Sequence, residues 1–265
     1  MHDFNYHRAK TTAEAVALLE NEDAKAIAGG MSLLPTLKLR LARYADLVDL
    51  KPISELSGIS RNDNSITIGA MTRHAVVAAS DVVQEAIPAL SVLAGGIGDP
   101  LVRNRGTIGG SIANADPAAD YPSSVLGLNA TVITHTREIE GEEFFQGLFE
   151  TALNPGEIIT AVRFPIPKRA GYFKFPHPAS RFCLVGVFVA QTETGVRVAV
   201  TGAAPSVFRF TAAEQALATN FSAAALEGVT LEPEGLNSDI HASAEYRAHV
   251  VEVLTRRATE RALSA

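Results

Sequence analysis

The chain of 265 residues contains one cysteine, Cys183, and that excludes an internal disulfide. It also excludes much metal chemistry, because iron–sulfur clusters usually take four thiolates and structural zinc takes Cys pairs or a Cys/His cluster. Seven histidines are scattered along the chain with no HExxH or similarly close ligand set. Any redox chemistry must therefore come from an organic cofactor. Cys183 lies in the apolar run Cys183–Val189, which makes it a small core residue rather than a nucleophile. No apolar run approaches the ~20 residues of a membrane helix, so no membrane insertion is expected. A net charge of −6 excludes a broad basic surface for nucleic acid. The first residues, Met1–His7, lack the basic start and apolar stretch of a secretory signal, so a cytoplasmic location is expected. Internal repeats and low-complexity stretches are also missing.

What is present is ordinary globular composition, 47% apolar and 20% charged, enough for a full core in one large domain or two smaller ones. The first third alternates helix and strand patterns. A helix is read over Thr12–Glu20, a strand over Ala24–Ala28, and a helix from Ser32 as N-cap through Leu37 and Leu41. Strands follow at Ala45–Leu50 and Ser65–Ala70, with a helix starting at Thr72. From Ala130 onward the strands Ala130–Thr134, Ile158–Phe164, Tyr172–Phe175, Cys183–Gln191 and Val196–Thr201 dominate, and a long helix closes the chain over Ser243–Leu263. Prolines between residues 165 and 178 suggest a boundary near Pro176–Ser180.

Two glycine-rich turns carry the chemistry. The first is Ala28-Gly29-Gly30-Met31-Ser32-Leu33-Leu34. Strand, paired glycines and helix start together suit an anion, since glycine lets backbone approach closely and helix-start N–H groups donate. A plain strand–turn–helix connection capped by Ser32 explains the same residues equally well. The second is Thr107-Ile108-Gly109-Gly110-Ser111, followed by Asp116 and Asp120. Hydroxyls and N–H groups there could cradle phosphate, and the carboxylates could accept from sugar hydroxyls. The alternative is a surface loop with solvated charges. Other nucleotide motifs fail: there is no GxxxxGK[ST], and Leu101 stands where a GxGxxG starting at Gly96 needs its last glycine. Ser32 lacks the final glycine of a nucleophile elbow. Two turns about 80 residues apart suggest a dinucleotide gripped at both phosphates.

At these residues the chain resembles the FAD-binding medium subunit of molybdenum hydroxylases, the type found in aerobic carbon monoxide dehydrogenase and xanthine dehydrogenases. AGGMS (Ala28–Ser32) and TIGGS (Thr107–Ser111) look like its flavin signatures. The likeness runs from Phe4/Tyr6 through Gly69–Thr72, Asp116–Asp120 and Pro178–Phe182 to Asp239–Arg247. It implies an α+β fold: a p-cresol-methylhydroxylase/vanillyl-alcohol-oxidase-type FAD-binding domain of two subdomains, then a smaller C-terminal α+β domain. The expected limits are 1–176 (subdomains about 1–55 and 56–176) and 177–265. It implies non-covalent FAD with its diphosphate on the two turns, Asp120 near the sugar-like chain, and Ile159 and Lys174 near the isoalloxazine ring. A surface charge on an edge strand is the other reading of Lys174. Met31 departs from the polar residue many relatives carry, but its N–H survives the change. The implied function is electron transfer from an iron–sulfur small subunit, fed by a molybdenum-cofactor large subunit, to an external acceptor, in a dimer of heterotrimers. No residue stands out as a proton-transfer catalyst. A free-standing FAD-dependent reductase or oxidase, and a flavin-binding scaffold or sensor, are the rival functions.

Overall fold

The computed structural model describes residues 1–264. The chain begins with β1 (Asn5–Arg8), α1 (Thr12–Leu19), β2 (Ala24–Ile27), α2 (Leu33–Lys38) and β3 (Asp46–Asp49). These strands form a parallel sheet in the order β1-β3-β2. Thr11 starts α1, its hydroxyl accepting from the Glu14 N–H, and the Glu14 carboxylate accepts in turn from Lys10 N–H. Reciprocal capping of this kind is what lets so short a helix hold its first turn. Its inner face, Ala15, packs on Val48.

A second, antiparallel sheet has the order β4-β5-β10-β6-β7. Its strands are β4 (Ile59–Arg61), β5 (Ser65–Gly69), β6 (Thr131–Thr134), β7 (Glu138–Glu140) and β10 (Ile159–Pro165). Between β7 and β10 lie α9 (Gly141–Phe144) and the hairpin β8 (Phe145–Gly147) and β9 (Glu150–Thr151). Between β5 and β6 the chain runs through six short helices: α3 (His74–Ala79), α4 (Asp81–Ala86), α5 (Pro88–Gly95), α6 (Pro100–Arg103), α7 (Ile108–Asn114) and α8 (Tyr121–Gly127). Sequence periodicity shows little of this stretch. All seven residues of α8 are buried, so it has no polar stripe for a pattern to reveal. The helix expected to start at Thr72 begins instead at His74, because the Thr72 hydroxyl is tied to Gly58 N–H and carbonyl.

The third sheet, β11-β12-β13-β14, is antiparallel. It comprises β11 (Arg169–Pro176), β12 (Cys183–Thr192), β13 (Gly195–Thr201) and β14 (Phe208–Arg209), covered by α10 (Thr211–Thr219) and α11 (Ala244–Ser264). Strand β11 pairs with β12 along its length, so sheet membership changes between β10 and β11, ahead of the expected 176/177 boundary. The closing helix buries Arg247, Val250, Val251, Leu254, Ala258 and Ala262, whereas Tyr246 is 46% exposed. Arg257 and Arg261 lie over the Phe173 ring, 5.4 and 5.0 Å from its centroid. Among the described residues no helix is long and apolar enough to cross a membrane.

Candidate functional site

The first glycine turn follows directly from β2. Gly30 has φ +73, a backbone state that favours glycine. Ser32 sits at the N-cap position of α2, but with helical backbone (φ −103, ψ −48) and no side-chain cap bond. The expected Ser cap is therefore not made. Among the described residues, the N–H groups of Gly29, Gly30, Met31, Ser32 and Leu33 have no acceptor, while Leu34 N–H already donates to the Gly30 carbonyl. The first turn of α2 has no acidic residue to neutralise these donors. A run of unspent donors at a helix start is the usual arrangement for an anion. The helix stops at Lys38, short of the expected Leu41, because Arg40 turns into left-handed backbone at φ +58.

The second turn is built differently. Thr107 is a true N-cap: its hydroxyl accepts from Gly110 N–H at 3.2 Å, and its carbonyl accepts from Ser111 N–H. Ile108 N–H donates to the Thr72 carbonyl and Gly109 N–H to the Ala70 carbonyl. The N–H cradle expected here is thus already spent inside the protein. What remains for a ligand is hydroxyl hydrogen, from Thr107 and from the half-buried Ser111. Beneath the turn lies His74, 4% exposed, whose main-chain N–H donates to the Gly106 carbonyl. Burial, with the Arg103 charge nearby, lowers its imidazole to about 4, so His74 is neutral at ordinary pH.

The two turns touch. A Cβ on Gly29 would stand 2.2 Å from the Arg105 carbonyl oxygen and 2.7 Å from Gly106 Cα, and one on Gly110 would meet Ala28 Cβ at 3.3 Å. The glycines let two backbone segments close up into one surface that offers N–H groups from one side and hydroxyls from the other. A diphosphate fits that donor set. The sequence pattern gives Arg105, Gly106 and His74 no part in the site, since a contact between segments this far apart leaves no local pattern.

Asp120 and Lys174 form a third cluster. Lys174 Nζ is 2.9 Å from an Asp120 carboxylate oxygen and donates to the Gly96 carbonyl at 3.0 Å. Their side chains are 9% and 5% exposed, so the reading of Lys174 as a surface charge is corrected. Asp120 also accepts from the Tyr172 hydroxyl at 2.6 Å. Burial raises the Asp120 carboxyl, and its Lys174 and Tyr172 partners oppose that rise. Asp116, by contrast, caps a local turn through Ala118 N–H. Ile159 is buried in the main core together with Ile108 and Ile112 of α7. Cys183 is a buried free thiol, pushed up by burial, in agreement with its reading as a core residue.

Comparison with known proteins gives the same picture over the whole chain. Residues 2–167 match the family of the FAD binding domain in molybdopterin dehydrogenase, and residues 182–262 match the CO dehydrogenase flavoprotein C-terminal domain. The carbon monoxide dehydrogenase medium chain of Afipia carboxidovorans is 35% identical over 98% of this chain and 96% of its own. The xanthine dehydrogenase FAD-binding subunit of Escherichia coli O157:H7 is 32% identical over 100% of this chain and 98% of its own. The structure of reconstituted CO dehydrogenase from Oligotropha carboxidovorans superposes with a TM-score of 0.91 at 33% identity, covering 99% of this chain and 98% of that one. The fold is that α+β flavoprotein fold. The chain therefore belongs to the FAD-binding medium subunits of molybdopterin-dependent dehydrogenases, an oxidoreductase family whose cofactor is FAD.

Proposed function

We propose that this chain is the electron-transfer subunit of a molybdenum-dependent hydroxylase or dehydrogenase. Its partners would be an iron–sulfur small subunit and a molybdenum-cofactor large subunit. The observation that carries the reading is the run of unspent N–H groups from Gly29 to Leu33, on a turn packed against the Thr107–Ser111 turn. Gly29–Leu33 would hold the FAD diphosphate, with Ala28 and Leu34 shaping the turn, while Thr107–Ser111 would close over it. Asp120 would lie near the sugar-like chain of the cofactor, and Lys174, with Ile159, near its ring end. FAD supplies reversible uptake and release of electrons; the protein supplies binding, orientation and a charged environment. A chain with one cysteine, itself buried, has no ligand set for a cluster, so the electron donor must be another subunit.

The test is titration of purified chain with FAD and FMN, then co-expression with the genes beside it. FAD should bind much more tightly than FMN, because the double turn suits a diphosphate. The isolated chain should turn over no aldehyde or heterocycle, and the assembled complex should bleach its flavin on substrate addition. Full turnover by this chain alone would replace the reading with that of a free-standing oxidoreductase.

A further inference from the structure

The reading above gives Asp120 and Lys174 a place near the flavin but leaves Tyr172 without a role. Tyr172 and Lys174 are two residues apart on β11, so both side chains leave the same face of the strand. That face meets the start of α8, where Asp120 precedes Tyr121. The Tyr172 hydroxyl donates to Asp120 at 2.6 Å and is 4.0 Å from Cys183 Sγ. Room for this contact comes from Gly186 on β12: a Cβ there would meet Cys183 Sγ at 2.6 Å and the Tyr172 hydroxyl at 2.8 Å. Two bonds of the Lys174 ammonium go to Asp120 and to the Gly96 carbonyl. An ammonium has three donors, so one is unspent.

A buried carboxylate facing one lysine is poorly served unless further hydrogen bonds satisfy it. Tyr172 supplies that bond. We propose that Tyr172 is a positioning residue for flavin reduction: its hydroxyl holds the Asp120 carboxylate against Lys174, and so sets the charge balance beside the cofactor. The proposal rests on the placement of Asp120 and Lys174 given under the proposed function. The groups facing Asp120 are Lys174 and Tyr172 from β11, Cys183 from β12 and Tyr121 from α8, with Arg247 of α11 further off and acting on Cys183. Tyr172, Cys183 and Tyr121 are held neutral by burial, so the balance lies between Asp120 and Lys174.

Without the Tyr172 hydroxyl, Asp120 takes a proton at higher pH, and Lys174 is left as an uncompensated positive charge. Such a charge favours reduced, electron-rich flavin. In Tyr172→Phe, loaded with FAD, the reduction equilibrium measured against a reference dye should move toward reduced flavin relative to wild type. The displacement should grow as pH is lowered and the variant's Asp120 takes its proton, reaching about tenfold, the size of one pKa unit at a neighbouring charge. Gly186→Ala, which pushes the hydroxyl aside without removing it, should move the equilibrium in the same direction. A constant offset at every pH, or none, with FAD bound and the thermal transition retained, overturns the role of Tyr172. Failure of wild type and variant alike to bind FAD overturns the proposed function itself, and this proposal with it.

Discussion

The two glycine turns look interchangeable as strings and are opposite in structure. In Gly29–Leu33 the backbone donors are unspent and the expected serine cap is not made. In Thr107–Ser111 the cap is made and the donors are consumed by Thr72, Ala70 and Thr107 itself. The first turn packs against its neighbour with its donors free; the second is tied down by its own cap and by Thr72 and Ala70. A missing cap usually costs a helix about 1 kcal/mol, a cost a bound anion can offset. On the proposed reading, the first turn supplies N–H donors to the cofactor and the second closes over it with hydroxyls on a fixed backbone.

The strongest challenge to that division is Gly29→Val. Its side chain would run into the Arg105 carbonyl and force the turns apart. FAD affinity should fall by about a hundredfold or more, equivalent to about 3 kcal/mol. Wild-type affinity in a flavin titration would refute the contact between the turns.

The second turn should reveal itself through pH. His74 titrates near 6.5 when unfolded and at about 4 in the fold, so below pH 6.5 the unfolded chain binds more protons. The contribution of this neutral imidazole is complete above 6.5 and lost as pH falls toward 4. Urea unfolding of the FAD-free chain across that window should lose on the order of 3 kcal/mol, and His74→Phe should flatten the profile. Equal slopes in the two proteins would remove His74 from beneath the turn.

Gly110→Val is a milder break. Its φ is not in the left-handed region, so the cost is steric: a Cβ would meet the Thr107 hydroxyl at 2.9 Å. About tenfold weaker FAD with the fold intact is expected, as for the loss of a cap or one good hydrogen bond. The smallest effect belongs to Met31→Ala. On the proposed reading the residue contributes its N–H rather than its side chain, which is 38% exposed, so affinity should change by less than about twofold. A larger loss would show the thioether touching the cofactor.

Both turns were legible as strings, because glycine records backbone freedom directly, but which N–H groups stay free was not: the cradle expected at Thr107–Ser111 is spent on Thr72, Ala70 and Thr107. Lys174 was legible as a residue but not as an environment: an edge-strand lysine is normally solvated, and only the approach of α8 buries it against Asp120. Tyr172 carried a readable hint, its period-two spacing from Lys174, but spacing does not say what the shared face meets. The helices of residues 81–127 were nearly silent for a related reason. α8 is buried on every side and has no amphipathic pattern, and the others are too short, at four to eight residues, to show one or to stand without packing.

By itself the sequence carried the two glycine turns, the family resemblance that implies FAD, and the need for a partner to hold any cluster. These are properties of residue types in short stretches: glycine pairs, hydroxyls, and the count of cysteines. Tertiary structure alone decided which turn keeps its donors free, that Gly29 sits against Arg105, and that Asp120, Lys174 and Tyr172 share one buried network. Each of those facts depends on segments about 50 to 80 residues apart meeting within a few ångströms, and the energies that bring them together reside in the packed core rather than in any local stretch.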